Sequence, residues 1–577
     1  MKNTTEKTAC ARDKIIELYS TAALAHEASC QALEKNMSQY LGSYEIDNSR
    51  ESATTVRNIT YEIIESEIDP DIPYPKATPS VYSEKREQNA RNIELLCRAI
   101  RERLPFESLN DIDERYTYIY GGSVFYMEWD SEIFADGISG GVRLYCISPL
   151  DFIPEPGVCD VENMKYCFIR FTTTRSELIR KYGVTEKELE LAECEYRYGE
   201  ESYGANTMRV IHAFYRDEDG DVCKTVFSGK LILSDMPKCF SRKVEVCSRC
   251  GIEAGGCTCS GAGRSYYDTP TEIICNESGE RVRVPYYMMH EFPIVIRQNT
   301  RCSESLFGLS DCERIRPQQQ AINKVESRIL KKLLRAGVTP VMPEDASFTL
   351  GNSIFGEIIR TRPGETLENY GKIDTTPDIS QDIAEADRLY EQAKRVIGIS
   401  DAFVGTDTAN AESGYARELK ISRAASRLET KKRMKYHAYS RLYRLIFEHY
   451  LAFADEPRTL YGTAGFLNSE ISIFNRSDFM EKDADGAPYY SDAYLFSVDL
   501  NSGSEYTREA LWERNLSNLE SGTLGDKSSP ETLLLYWQAQ ERAHYPFAKD
   551  NAEYFKALIR ARSVTEAVTE NQQESEK

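Results

Sequence analysis

The chain has 577 residues, with 71 Lys+Arg against 92 Asp+Glu, a net charge of −21 and 41% hydrophobic residues. With 28% charged residues this is ordinary globular usage, which excludes wholesale disorder, and the length allows roughly three or four domains. The negative charge opposes a general DNA coat or sequence reader unless a basic surface is segregated locally, and no apolar run is long enough to span a membrane.

Residues 11–41 have helical apolar spacing without Pro or Gly, which predicts a long amphipathic helix, and no apolar signal core precedes it. A second helix is expected from about Ser49, with Val56, Ile59, Ile63 and Ile64 on one stripe, ending at Pro70, Pro73 and Pro75. A third spans about Glu84 to Arg103. The period then shifts to two: residues 115–129 read as two strands joined at Gly121-Gly122, and 141–147 as a third. A short helix at 176–182 and a hairpin over 209–233 follow. The hairpin turns at Asp217 to Asp221, whose spacing is wrong for a calcium loop.

Residues 292–296 read as a strand. Ser310 and Glu313 have the spacing of a capping box, opening a helix to about Ala336 in which Ile322, Val325, Ile329 and Leu333 share a face. Pro317 should kink that helix or mark a late start, and Gly337 suits its C-terminus. Residues 338–379 are β-like and proline-punctuated, 381–397 helical, and 398–413 a small, polar, mobile loop. The longest uninterrupted helical stretch, 415–453, carries Arg417, Lys420, Arg423, Arg427, Lys431 and Lys435 as a basic stripe. Tyr439, Leu442, Ile446, His449 and Phe453 form an apolar stripe farther on. A second hairpin is expected over 471–500, turning at Asp483 to Gly486, then two or three helices and a polar tail. The class is α+β.

Chemistry has few anchors. The six His include no H-E-x-x-H pair, and there is no G-x-S-x-G elbow, no phosphate loop and no dinucleotide fingerprint, so no enzyme is expected. Of 16 Cys, seven lie between Cys223 and Cys275, while the scattered remainder read as reduced core thiols. Cys247, Cys250, Cys257 and Cys259, on a glycine-rich stretch, can close a tetrahedron around a structural Zn²⁺. Reduced surface cysteines, with Cys239 or Cys275 as further partners, or a redox pair are the alternatives.

The segment from Phe292, with Gly308, Ser310, Asp311, Glu313, Gln319, Asn323 and Ser327, resembles the start of the stem in portal proteins of tailed bacteriophages. The segment from Gln381 through 398–413 into the long helix is similar to that family's second stem helix, tunnel loop and wing helix, and the likeness covers most of residues 50–455. It implies a portal-type fold with an α/β wing over 1–307 carrying a Cys-rich knuckle at 239–275. Stem helices would span 308–336 and 381–397, a clip 337–380, and a tunnel loop 398–413 that includes Val404, Gly405, Thr406, Asp407, Thr408, Ala409 and Asn410. A long wing helix and hairpin would span 414–500, a helical crown 501–562 and a disordered tail 563–577.

The resemblance further implies a ring, usually of twelve subunits, at one vertex of a virion, assembled in the host cytoplasm. Such a ring passes double-stranded DNA without sequence preference. It binds the terminase large subunit, head-completion or tail adaptor proteins, and the major capsid and scaffolding proteins, with no membrane partner. The basic stripe would face DNA or pair with a neighbouring subunit. The knuckle departs from the family pattern, and a non-viral zinc-stabilised scaffold is the alternative reading.

Overall fold

The computed structural model describes residues 2–43, 56–135, 137–193, 207–218, 220–236, 239, 243–247, 264–268, 272–274, 281–283, 287–334, 338–341, 349–353, 356–360, 371–374, 377–399, 414–464, 468–482, 488–499, 508–542, 545 and 547–559. It is a mixed α/β protein, and every strand pair among the described residues is antiparallel.

Helix α1 (Lys2–Tyr40) is followed by α2 (Ile59–Glu67), strand β1 (Tyr74–Pro79), α3 (Glu84–Arg103) and α4 (Phe106–Tyr120). Strands β2 (Gly122–Ala135) and β3 (Ile138–Ile147) then form a hairpin, and the strand Ile294–Gln298 adds to the free edge of β2. A five-stranded meander is built by β4 (Phe152–Pro154), β5 (Tyr166–Thr174), β6 (Thr207–Arg216), β7 (Val222–Ser228) and β8 (Leu231–Met236), with α5 (Arg175–Tyr182) after β5. Thr174 caps α5 with a full capping box through Glu177.

The expected strand over the first part of 115–129 is instead the end of α4. Its aromatic and β-branched residues favour strand locally, but Asn110, Asp113, Glu114 and Thr117 fall on one helical face and are buried there. Gly121 stops the helix in a left-handed conformation (φ 90°), its N–H bonded to the Thr117 carbonyl. The expected hairpin over 471–500 also divides. Residues Asn468–Phe474 pair with Arg458–Ala464, Met480–Lys482 with Pro488–Tyr490, and Tyr494–Asp499 with the distant β1. Edge strands of similar alternation can pair with whichever partner tertiary packing presents. The turn at 483–486 and Gly337 lie outside the described residues.

Helices α6 (Asp311–Leu334) and α7 (Ser380–Ile397) form an antiparallel hairpin. Ile322 and Val325 of α6 pack on Ala386, Leu389, Ala393 and Ile397 of α7, with Ile59 and Ile63 of α2 closing the layer. At the far end Asp382 accepts from Arg328 and Lys332, both at 2.5 Å. Pro317 lies within the first two turns of α6, whose start is not delayed. Between the two helices, Val338–Val341 pairs with Gly371–Asp374, and Thr349–Ser353 with Gly356–Arg360.

The long helix, Gly414–Phe453, forms the centre of the main core. Tyr439 meets Phe125 edge-on at 5.8 Å, Tyr443 stacks on Phe106 at 6.5 Å, and Tyr450 meets Trp129 at 5.2 Å. Its apolar stripe thus lies on the three-stranded sheet and the start of α4, with Cys97 of α3 alongside Tyr443. Helix α1 packs on its own chain: Tyr19 sits edge-on to Phe168 and Phe227 of the five-stranded sheet, and Leu33 and Tyr40 reach Ile64, Tyr118 and Cys312. Of the scattered cysteines described, Cys97, Cys167 and Cys312 are free thiols buried in these cores, whereas Cys30, Cys146, Cys159 and Cys302 are free thiols only partly buried.

Gly121 and Gly308 press backbone to backbone. A Cβ on Gly121 would stand 2.2 Å from the Gly308 carbonyl oxygen, and one on Gly308 would stand 2.5 Å from that of Thr300. Gly308→Ala is therefore expected to destabilise the protein by about 1–3 kcal/mol, as overpacking against rigid backbone does, read as a lowered urea midpoint with unchanged slope. Unaltered stability would show that the two turns can separate without loss.

Candidate functional site

The turn that opens α6 is joined to three other parts of the chain. Asn299 donates its N–H to the Gly121 carbonyl (2.9 Å) and its side-chain amide to the Leu309 carbonyl (3.0 Å) and to Asp311 Oδ2 (2.8 Å). Ser310 Oγ accepts the Glu313 N–H at 3.3 Å, the first half of the expected capping box, while its hydroxyl donates to the Ile119 carbonyl at 2.6 Å. The cap therefore also ties α6 to the end of α4. Glu313 itself is exposed.

One turn further on, Gln319 is fully buried and uses both ends of its amide. Its Oε1 accepts from the N–H and hydroxyl of Thr60 (3.1 and 3.0 Å), and its Nε2 donates to the Arg57 carbonyl (2.7 Å) and to Asn323 Oδ1 (2.9 Å). Ser327 donates back to the Asn323 carbonyl within the helix. Gln39 of α1 completes the link, donating to Thr60 Oγ1 and to the Cys312 carbonyl. Of the predicted positions, Ser310 fastens α6 to α4 and Gln319 fastens it to α2, with the Cys312 carbonyl receiving Gln39 of α1, while Asn323 supports Gln319 and Ser327 bonds within the helix.

Beside this fastening lies a buried ionic network. Arg297, only 2% exposed, donates from Nη1 to Asp113 Oδ2 (2.5 Å) and Glu114 Oε1 (2.7 Å). Lys435 of the long helix, wholly buried, contacts the same Glu114 oxygen at 3.0 Å and donates to the Asp69 carbonyl at 2.9 Å. Four residues earlier, Lys431 Nζ is 2.7 Å from both Glu67 Oε1 and Asp311 Oδ2. Burial would raise Glu114, but Arg297 and Lys435 together hold its carboxyl below the usual range. Burial does dominate at Asp113, whose carboxyl lies above its ordinary value despite Arg297.

This corrects the reading of the basic stripe at the two positions whose side chains are described. Lys431 and Lys435 are directed at carboxylates of their own chain and face neither DNA nor a neighbouring subunit. Spacing already carried the signal, since 431, 435, 439, 442 and 446 continue one helical face, so the lysines lie on the line of the apolar stripe. Sequence reasoning does not single out their partners Glu67, Glu114 and Asp69, nor Arg297 with its second acid Asp113. The one sequence signal for Arg297 is a charge directly after the apolar run Ile294-Val295-Ile296 of its strand, where burial requires a partner. Arg417, Lys420, Arg423 and Arg427 lie on the helix backbone, with side chains outside the described residues.

The loop residues Val404, Gly405, Thr406, Asp407, Thr408, Ala409 and Asn410 lie outside the described residues, as do Cys250, Cys257 and Cys259. Cys247 is described: it is buried, and it ends a strand, Lys243–Cys247, that pairs antiparallel with Arg264–Asp268, with Cys247 opposite Arg264. That ladder places residues 247 and 264 opposite each other, and the other three cysteines fall between them in sequence.

A cleft of about 610 Å³ opens between the β2–β3 hairpin and the five-stranded sheet, lined among others by Glu128, Arg143, Tyr145, His212 and Lys224. Its inner charges satisfy one another: Lys224 lies 3.3 Å from Glu128, which also accepts from the Tyr126 hydroxyl at 3.0 Å. Burial, then Lys224 and Lys181, hold His212 well below its ordinary value.

No family model and no curated protein matches the chain. Among the described residues no helix is long and apolar enough to cross a membrane.

Replacing Arg297 by Met leaves Glu114 buried with Lys435 as its cationic partner, and Asp113 buried beside the Ser123 hydroxyl with its cation removed. Breaking a buried pair in this way costs about 3–5 kcal/mol. The expected outcome is a loss of that size in urea unfolding, and a loss below about 1 kcal/mol would show the network to be dispensable.

Proposed function

We propose that this chain is the ring-forming portal subunit of a tailed bacteriophage, without catalytic activity of its own. The observation that carries the reading is the order of elements around the G-x-S-D-x-E turn. A strand leads through Gly308 and Ser310 into α6, short β-pairs separate α6 from the antiparallel α7, and a stretch of sequence rich in small and polar residues precedes a forty-residue helix. That order matches the stem, clip, tunnel loop and wing helix of the family that the sequence resembles.

Charge agrees with this role. A conduit through which a duplex slides must not grip phosphates, and a subunit carrying −21 gives a repulsive wall when repeated around a ring. Burial of Lys431 and Lys435 removes two cations from any such wall. On this reading the β-pairs between α6 and α7 form the docking end for the terminase large subunit and later for adaptor proteins. Capsid and scaffolding contacts fall to the outer body, in the virion and during assembly in the host cytoplasm. On the same reading Cys247, Cys250, Cys257 and Cys259 hold one structural Zn²⁺ next to the Cys247 to Arg264 pair.

Native mass spectrometry of the full chain, with metal analysis of the same sample, tests both parts. A ring of about a dozen copies of the 65.8 kDa chain is expected, with about one zinc per chain. A strict monomer at assembly concentrations would count decisively against the ring. Replacing Cys247 and Cys250 by Ser should remove the zinc, and unchanged metal content would remove the site. Deleting residues 404–413 should leave ring assembly intact while impairing DNA packaging or retention, whereas loss of assembly would refute a tunnel position for that loop.

A further inference from the structure

Where α2, α6 and the long helix meet, two acids face one base. Glu67, the last residue of α2, and Asp311, the first of α6, are both fully buried, and each gives one oxygen to Lys431 Nζ at 2.7 Å. The second oxygens, Glu67 Oε2 and Asp311 Oδ1, are buried and have no hydrogen-bond donor. Nearby cations do not supply one. Arg314 Nη1 stands 4.0 Å from Asp311 Oδ1, and Lys435 is engaged by Glu114 and Asp69. From the other elements packed here, α4 contributes the Tyr118 hydroxyl, which donates to the Glu67 carbonyl at 3.2 Å, and its ring lies 5.0 Å from Lys431 Nζ. The loop before α6 contributes Asn299, whose amide already donates to Asp311 Oδ2. The Cys312 thiol and Glu114 complete the titratable surroundings.

Two bare carboxylates on one ammonium would leave a net negative charge and two unpaired oxygens in the interior, an expensive arrangement. One proton removes both defects. We propose that Glu67 is held in the folded protein as a neutral carboxylic acid whose hydroxyl donates to the Asp311 carboxylate, so that this proton is a structural part of the joint between α2, α6 and the long helix. The Asp311 carboxylate has Lys431, Asn299 and, at longer range, Arg314 around it. Balance is simple: the proton is taken from solvent on folding, and no bond other than O–H forms.

The electrostatics run the same way. Burial, then the facing Asp311, raise the Glu67 carboxyl well above its ordinary value of 4.5, and Lys431 only partly opposes them. A carboxyl raised in the folded state binds a proton that the unfolded chain has released. Its contribution to stability is therefore complete below pH 4.5 and is lost as pH rises toward the raised value.

The test is urea unfolding of the full chain between pH 5 and pH 9, comparing wild type with Glu67→Gln, whose amide can donate to Asp311 as the acid does. Glu448, which burial raises to about 7, titrates identically in both proteins, so the difference isolates Glu67. Relative to E67Q, the wild-type unfolding constant should rise up to about tenfold per pH unit as the proton is released. Asp311→Asn, which removes the repelling charge, should also flatten the wild-type dependence, because Glu67 can then ionise against Lys431. Parallel curves for wild type and E67Q would overturn the proposal. So would a full wild-type slope in D311N.

Discussion

The structure depends on the burial of two lysines from the long helix. Lys431 and Lys435 lie one turn apart, and each meets carboxylates supplied by other elements: Glu67 and Asp311 for the first, Glu114 and the Asp69 backbone for the second. Such pairs add little net stability over well-packed apolar residues, since desolvation offsets most of the attraction. What they add is position. A helix that slides by one turn, about 5.4 Å, would keep much of its apolar contact, but of two lysines set one turn apart only one would still find a carboxylate site, leaving the other ammonium and one set of acids without partners. The apolar stripe from Tyr439 to Tyr450 gives the helix its adhesion, and the lysines give it its register.

The same carboxylates orient the helical hairpin. Asp311 belongs to α6 and binds the long helix, Ser310 caps α6 and binds the end of α4, and Gln319 binds α2. The close approach of Gly121 and Gly308 completes the joint, because no side chain intervenes between the turn ending α4 and the turn opening α6. A side chain at either glycine would widen the gap that Asn299 spans when it donates to the Gly121 carbonyl. Backbone contact, polar caps and ion pairs therefore converge on one seam between the hairpin and the sheets.

Much of this was legible in the sequence where a local pattern and tertiary packing agree. The helices over Glu84–Arg103, Asp311–Leu334 and Gly414–Phe453 have long apolar stripes and few breakers, so their periodicity alone predicts them. The mixed class followed from the switch of period after α3. Residues 115–120 were misread because Tyr, Thr and Ile favour strand, whereas the face that decides their state is the polar one, Asp113, Glu114 and Thr117, which answers to Arg297 far along the chain. The pairing of Tyr494–Asp499 with β1 was likewise hidden, since alternation marks a strand but does not name its partner. At the seam, the motif Gly308 to Glu313 was visible as a pattern. Its acidic partner Glu67 was not, because nothing local distinguishes a glutamate that ends a helix in solvent from one that ends it in the core.

On the proposed reading this seam has a mechanical meaning. A conduit subunit must keep its hairpin fixed to its outer body while a motor pushes on one end of the assembly, and loads of that kind act on register before they act on burial. Apolar contact resists separation but yields to sliding, since one methyl group substitutes for another. Hydrogen-bonded charges in a dry interior resist sliding, because each has few alternative partners and a steep cost when it has none. A protonated Glu67 fits this logic: it lets two acidic helix ends share one lysine without repulsion, so the hairpin, α2 and the long helix meet at a single point. Variants that weaken the seam while sparing the apolar core should therefore reveal themselves first as a loss of orientation between hairpin and body, before any general unfolding.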